Sequence, residues 1–244
     1  MQSPVMRQSE RLPSIDIARG VALIGMVVFH FTLDLEIFGW VAPGNILRPG
    51  WMGFARLVAG SFVFLAGVSM ILAHGAGIRW RSFRRGTALV AVAALAVSVA
   101  TYLAMPEMWI FFGILHIIAV SRVLGLAFLR VPAWALVVLG AGVWALPYLI
   151  SFDLFNPRTL AWIGFASAAP LSMDLEPIFP WFGPFLLGMA AARLWAAKLS
   201  GLTLRPGALG RGLAWAGRHS LWIYLIHQPV LIAGLWLVTP LLRG

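Results

Sequence analysis

Apolar residues run along the chain in long blocks separated by short polar joints. Seven blocks stand out, at roughly 17–37, 54–74, 86–104, 109–129, 132–151, 180–197 and 219–240. Each is near the length a helix needs to cross about 30 Å of hydrocarbon. The pattern predicts an all-α bundle of about seven transmembrane spans. The joints are too short to hold a second domain, so the prediction is one membrane domain over 1–244. Pro106, Pro132 and Pro180 fall at block boundaries, where a missing amide donor does little harm. Pro229 falls inside the last block and predicts a kink. The stretch 158–169, RTLAWIGFASAA, is apolar but too short to span, which fits a re-entrant or interfacial piece.

Composition sharpens this picture. The chain is 61% hydrophobic and only 11% charged, where a soluble domain carries about a quarter charged residues. The net charge of +10 raises nucleic acid as a partner, but the arginines sit at the ends of apolar blocks rather than on a soluble face. That is a topology signal, so no nucleic-acid role is expected. Placing the N-terminus in the cytoplasm gathers Arg7, Arg11, Arg19, Arg79, Arg81, Arg84, Arg85, Arg122, Arg130, Arg193, Lys198, Arg205, Arg211 and Arg218 on the inner face. These are 14 of the 18 basic residues, while six of the eight acids fall outside. The first block lacks a small-residue cleavage site and is expected to remain as an anchor in a bacterial inner membrane. The absence of cysteine excludes disulfides, thiolate metal sites and a cysteinyl intermediate.

The first block carries the most informative chemistry. With Arg19 at zero and 100° per residue, Asp16 and Asp34 lie at about 60° and His30 at about 20°. All four share one helix face. Arg19 and His30 are about 16 Å apart along the axis. Charged groups within a bilayer usually face a bundle interior or a watery cavity. Arg19 is open to a plain reading, fixing topology, and Asp16 to another, pairing with Arg19 one turn on. Asp34, one turn beyond His30, is placed to hold one imidazole nitrogen, the orienting arrangement of a general base.

The run SIDIARGVALIGMVVFH resembles the opening of the heparan-α-glucosaminide N-acetyltransferase-like family of membrane acyltransferases, and also that of the related acyltransferase-3 family. The resemblance continues in AGSFVFLAGVSM (59–70), FFGILHIIAVSRV (111–123), DLEPIFPWFGPFLLGM (174–189) and GRHSLWIYLIHQPVL (217–231), in that order. These families move an acyl group from a cytoplasmic acyl-CoA to a sugar amine or hydroxyl at the opposite face. The resemblance implies that His30 is the general base or a transient acyl carrier. It implies that Arg19 contacts the CoA portion or holds the helix stripe. There is one departure. The heparan acetyltransferases have Asn at the position of His30 and place a catalytic His in the following loop, whereas residues 31–50 here contain no His.

Other candidate groups follow. His116 lies in the fourth block, with Arg122 at its inner end. In the last block Ser220, Tyr224 and His227 share a face, with Gln228 and Pro229 following. Asp174, Glu176 and Trp181 form an acidic and aromatic outer loop, where carboxylates bind hydroxyls or amines and an indole stacks on a sugar face. The expected sets are His30 and Asp34 for catalysis, Arg19, Arg84, Arg85 and Arg122 for the acyl-CoA phosphates, and His116, Asp174, Glu176, Trp181 and His227 for the acceptor. No metal is expected, because the histidines come from separate helices without paired ligand spacing. The predicted function is acetyl transfer from acetyl-CoA, in a ternary complex or through an acyl-histidine, to a sugar-type acceptor. The rival readings are a small-solute or proton-coupled transporter, whose size a homodimer would restore, and a non-catalytic scaffold.

Overall fold

Two prolines open the first two helices. Pro13 and Pro49 sit at the first helical position, where the missing amide would lack a partner in any case. The structure, a computed structural model, describes residues 12–201 and 207–243, with 196–201 and 243 described by their backbone alone. The inner-face charges Arg7, Arg11 and Arg205 lie outside the described residues, as do the side chains of Lys198 and Arg243. In chain order the helices are α1 (Pro13–Ile37), α2 (Pro49–His74), α3 (Trp80–Ala104), α4 (Ile114–Phe128), α5 (Ala133–Ala145), the single turn α6 (Arg158–Ala161), α7 (Ile178–Gly201), α8 (Ala208–Arg218) and α9 (Ser220–Arg243). No strand forms among the described residues, so the expected all-α class holds. Two isolated bridges join Phe112 to Leu175 and Phe152 to Ala166.

Four of these helices, α1, α2, α3 and α9, are long and apolar enough to cross a membrane. Their outward faces carry large apolar side chains such as Leu95, Val99, Val230 and Trp236. A soluble monomer does not expose apolar surface on this scale, so the chain is an integral membrane protein.

Helix α7 packs between α2 and α5, α4 against α3 and α2, and α1 against α2, α8 and α9. The centre is Val63 and Met70 from α2, Ile117 from α4, and Phe185, Leu186 and Met189 from α7, all at most 1% exposed. Two seams bring backbones into direct contact. A Cβ on Gly67 or Gly188 would come within 2.0 Å of the carbonyl oxygen of Phe185 or Phe64 across the α2–α7 seam. In the α1–α8 seam, Gly20 faces the Leu213 carbonyl and Gly217 the Asp16 carbonyl, at 2.3 and 1.8 Å. Small residues at such crossings are how membrane helices gain packing contact without a hydrophobic driving force.

The structure departs from the sequence-based elements in three places. Helix α4 starts at Ile114, not 109, because residues 108–112 run extended beside 173–176, with Met173 N–H donating to Met108 O at 2.8 Å and Glu176 N–H to Phe112 O at 2.9 Å. Helix α5 ends at Ala145, just before Pro147, and is 13 residues long. Helix α8 was not anticipated at all. The stretch 158–169 forms one helical turn and a loop stitched by Ile178 N–H to Trp162 O and Phe179 N–H to Ile163 O, both at 2.9 Å. The last helix is assigned as one element through Pro229.

Candidate active site

The stripe on α1 meets α9 near its far end. The His30 and His227 rings are 4.9 Å apart, edge to face. Asp34, one turn beyond His30 and fully buried, accepts a hydrogen bond from the Gln228 amide at 2.7 Å. The expected Asp34–His30 pair is therefore not the hydrogen bond that forms: Gln228 takes the carboxylate, and His30 faces His227. His227 Nδ1 lies 2.6 Å from the Tyr224 carbonyl, so Nδ1 carries the proton and Nε2 is an acceptor in the neutral ring.

Three buried atoms in this cluster lack a hydrogen-bond partner: Asp34 Oδ2, His227 Nε2 and Gln228 Oε1. Each such atom costs about 1–3 kcal/mol. All three are acceptors. Among the described residues the cluster is short of hydrogen-bond donors.

His116 presents the opposite case. Its Nδ1 accepts from Gly113 N–H at 3.1 Å. Its Nε2 lies 3.1 Å from Ser98 Oγ, whose own proton goes to the Ile110 carbonyl at 2.6 Å. One neutral tautomer satisfies all of these bonds. His116 was expected at the acceptor, but both ring nitrogens are occupied and the ring fixes the start of α4.

Asp174 helps to do the same. Its Oδ2 accepts from Ile114 N–H at 3.0 Å, and a Cβ on Gly113 would lie 2.2 Å from that oxygen. Only glycine fits there. Burial pushes the Asp174 carboxyl up to about 6, against the pull of the Ile114 amide. Glu176, two residues on, is raised well above the ordinary glutamate range, mainly by burial and then by the Asp174 charge, with Trp181 and Arg56 pulling the other way. Tyr224 of α9 lies close enough to feel both carboxylates. A line of polar groups therefore runs from His30 through His227 and Tyr224 to Glu176.

Glu176 and Trp181 also line a cavity of about 1390 Å³ between α1, α2, α5 and α7. Its α1 wall is Ala18, Val21, Ile24, Gly25 and Val28, the side of that helix away from the His30 stripe. This cavity is thus lined by a different face of α1 from the imidazole pair, and Glu176 borders it.

The expected donor-binding arginines divide. Arg19 Nη1 pairs with Asp16 Oδ1 at 3.3 Å, and its Nη2 bonds Ser69 Oγ. Arg122 donates from Nε to Thr87 Oγ1 at 3.0 Å, stacks 5.6 Å over Phe83, and is near enough to Arg19 for their charges to repel. These two form a partly buried cationic pair. Arg84 and Arg85 lie on the exposed surface of α3, in its first turns. Among the described residues no group of three His, Asp or Glu is disposed to hold a metal ion.

Gln228, Ser98, Ser69 and Thr87 were not singled out as site residues by sequence reasoning. Each is an uncharged partner of a charged or imidazole group on another helix, and helical spacing along one segment carries no signal for such a pair.

One comparison bears on the family of the chain. Residues 11–229 match the family described as heparan-alpha-glucosaminide N-acetyltransferase, catalytic, from the start of α1 into α9. No curated protein matches the chain, and no solved structure does. The family match spans most of the sequence, and the chain belongs to the heparan-alpha-glucosaminide N-acetyltransferase catalytic family, a family of membrane acetyltransferases.

Proposed function

We propose that this protein transfers an acetyl group from acetyl-CoA, bound at the Arg19 end of the bundle, to an amine or hydroxyl of a sugar-type acceptor at the His30 end. The observation that carries this reading is the trio of unpartnered buried acceptors, Asp34 Oδ2, His227 Nε2 and Gln228 Oε1, beside His30. An acceptor amine or hydroxyl donates to such a trio, and that holds the nucleophile with its lone pair free to attack. His30 takes the proton as the new C–N or C–O bond forms, and the CoA thiolate leaves as the C–S bond breaks. Fixing both reactants in one site supplies the positional advantage that water cannot. The chain has no cysteine to carry an acyl thioester. Direct transfer is therefore the simplest course.

The partly buried cations Arg19 and Arg122 fit the donor phosphates, with exposed Arg84 and Arg85 in the first turns of α3 attracting them from the surface. The imidazole is about 16 Å along α1 from Arg19, which an extended pantetheine arm spans. Glu176 and Trp181 line the acceptor side. His227 supports His30, Asp34 acts with Gln228, and Asp174 and His116 shape the wall. The excess of arginine at this end supports a cytoplasmic position for it, in a bacterial inner-membrane topology of about seven crossings with the N-terminus inside.

The test is transfer from labelled acetyl-CoA to a panel of amino sugars by purified protein, beside His30→Ala. Product formation that disappears in the variant supports the reading. Equal product from both proteins removes His30 from the chemistry, and a lack of acetyl-CoA stabilisation in thermal shift removes the donor assignment.

A further inference from the structure

The cavity between α1, α2, α5 and α7 is not used by the chemistry above. Its walls are apolar over most of their length, with Phe54, Leu57, Phe64 and Leu187 among them. Small residues make it concave: Gly25, Gly53 and Gly60 lie in the walls, and nothing approaches a Cβ position on Gly53 within 4 Å. The run from Gly53 to Leu65 on α2 makes it about 18 Å long. It opens sideways, since Val21, Ile24 and Leu57 on its walls are also among the outward-facing apolar residues. In a membrane this is a groove filled from the lipid phase, not from water.

The groove also has polar lining. Arg56 lies one turn from Gly53 toward one end, and Ser61, Glu176 and Trp181 line the groove as well. Arg56 is exposed and makes no ion pair or hydrogen bond with any described residue. Glu176 is near enough to influence it, yet burial raises that carboxyl well above its ordinary range and favours its neutral form. Arg56 is thus a cation lining a largely apolar groove, with no carboxylate of a described residue in ion-pair contact. A guanidinium in such a place calls for a phosphate or carboxylate on the ligand.

We propose that this groove seats a lipid phosphate, its hydrocarbon tail along α1 and α2 and its phosphate on Arg56, so that the acetyl acceptor reaches Glu176 and Trp181 as the headgroup of a lipid. Charge complementarity at one end and an apolar trough at the other select an anionic amphiphile over a neutral one. The acceptor class rests on the proposed acetyl transfer, but the lipid site itself does not. Glu176 has the groove on one side and Tyr224 on the other, so a sugar on that phosphate lies next to the polar line that leads to His227 and His30.

The test reconstitutes the full chain in phosphatidylcholine vesicles with a trace of radiolabelled phosphatidic acid bearing a diazirine in one acyl chain. A parallel arm carries the matching diacylglycerol, which lacks the phosphate, and a third adds inorganic phosphate as competitor. Expected is label on groove residues such as Phe64, Leu65 and Leu187, at least about fivefold stronger for phosphatidic acid than for diacylglycerol. Arg56→Gln removes most of that preference, and Arg56→Lys keeps part of it. Ser61→Trp, which fills the trough, lowers labelling by both lipids. Arg56 is exposed and Ser61 Oγ bonds only its own helix, so both variants are expected to fold, with elution as a monodisperse peak as the check. Equal labelling by the two lipids, label spread evenly around the bundle, or no effect of Arg56→Gln overturns the proposal. Protection by inorganic phosphate overturns the lipid as the source. Binding is read without turnover, so failure of acetyl transfer and failure of the lipid site give different results.

Discussion

Two histidines in this bundle are surrounded by opposite chemistry. His116 has a partner for each ring nitrogen, and those partners have partners in turn, ending on the Ile110 carbonyl and the Gly113 amide. His30 stands beside His227 in a cluster with three acceptors that no described residue satisfies. Both regions are polar and built from two or more helices. What separates them is whether the hydrogen-bond inventory closes. A closed inventory rigidifies a wall, whereas an open one stores a free-energy cost that a ligand relieves.

The largest expected effect tests the open region. His30→Ala should lower acetyl transfer by about 10²–10⁴-fold, the usual range for a general base, while the thermal midpoint holds or rises. Turnover within a few fold of the parent would sink the assignment. In the closed region the effect should appear as stability instead. His116→Ala leaves Gly113 N–H and Ser98 Oγ without their ring partner and should cost about 2–3 kcal/mol, read as a lower midpoint, with turnover per folded molecule nearly unchanged. If the two readouts exchange places, so do the roles. Gln228→Leu strips Asp34 of its amide donor and takes away one open acceptor. Its expected cost is about tenfold in turnover, with a modest drop in midpoint, measured against Gln228→Glu to separate charge from shape.

The smallest effect is pH dependence through Asp174. Its folded value, about 6, lies above the ordinary 3.8. Between these the folded state binds more proton than the unfolded one. Stability from this group is therefore fully present below about pH 4 and is lost as pH rises through about 6. Thermal midpoints taken from pH 4 to 7 should fall over that window, and Asp174→Asn, which still accepts from Ile114, should flatten the fall. A midpoint that rises across the window would contradict the burial of that carboxyl.

Sequence pattern alone reached the helices whose apolar blocks are long, and it reached the stripe on α1, because a 3.6-residue repeat is written into one continuous segment. Asp34 is buried and Val21 and Ile24 face outward, as the angular reading requires. It did not reach α8. Residues 207–218 carry Gly207, Gly210, Gly212 and Gly217, a run that reads as a loop by propensity. The helix forms because Gly217 and Gly20 allow α8 and α1 to touch backbone to backbone, a tertiary gain that propensity cannot report. The start of α4 was missed for a related reason. Its cap is His116 reaching back to Gly113, and its support is Asp174 from sixty residues away. The family resemblance supplied the chemistry of His30, while its partner on α9 came only from the fold.

The seam between α1 and α8 also bears on how the machine can move. With Leu213 O and Asp16 O occupying the spaces where side chains would stand at Gly20 and Gly217, neither helix can slide by a fraction of a turn without driving a carbonyl into an α-carbon. Close-packed seams of this kind shift in whole steps or not at all. Helix α1 carries both Arg19 and His30, so the distance from the proposed donor anchor to the proposed base is fixed like the span of a caliper. Whatever opens to admit one substrate and then the other must be sought in the helices around it, with α1 and α8 as the stationary frame.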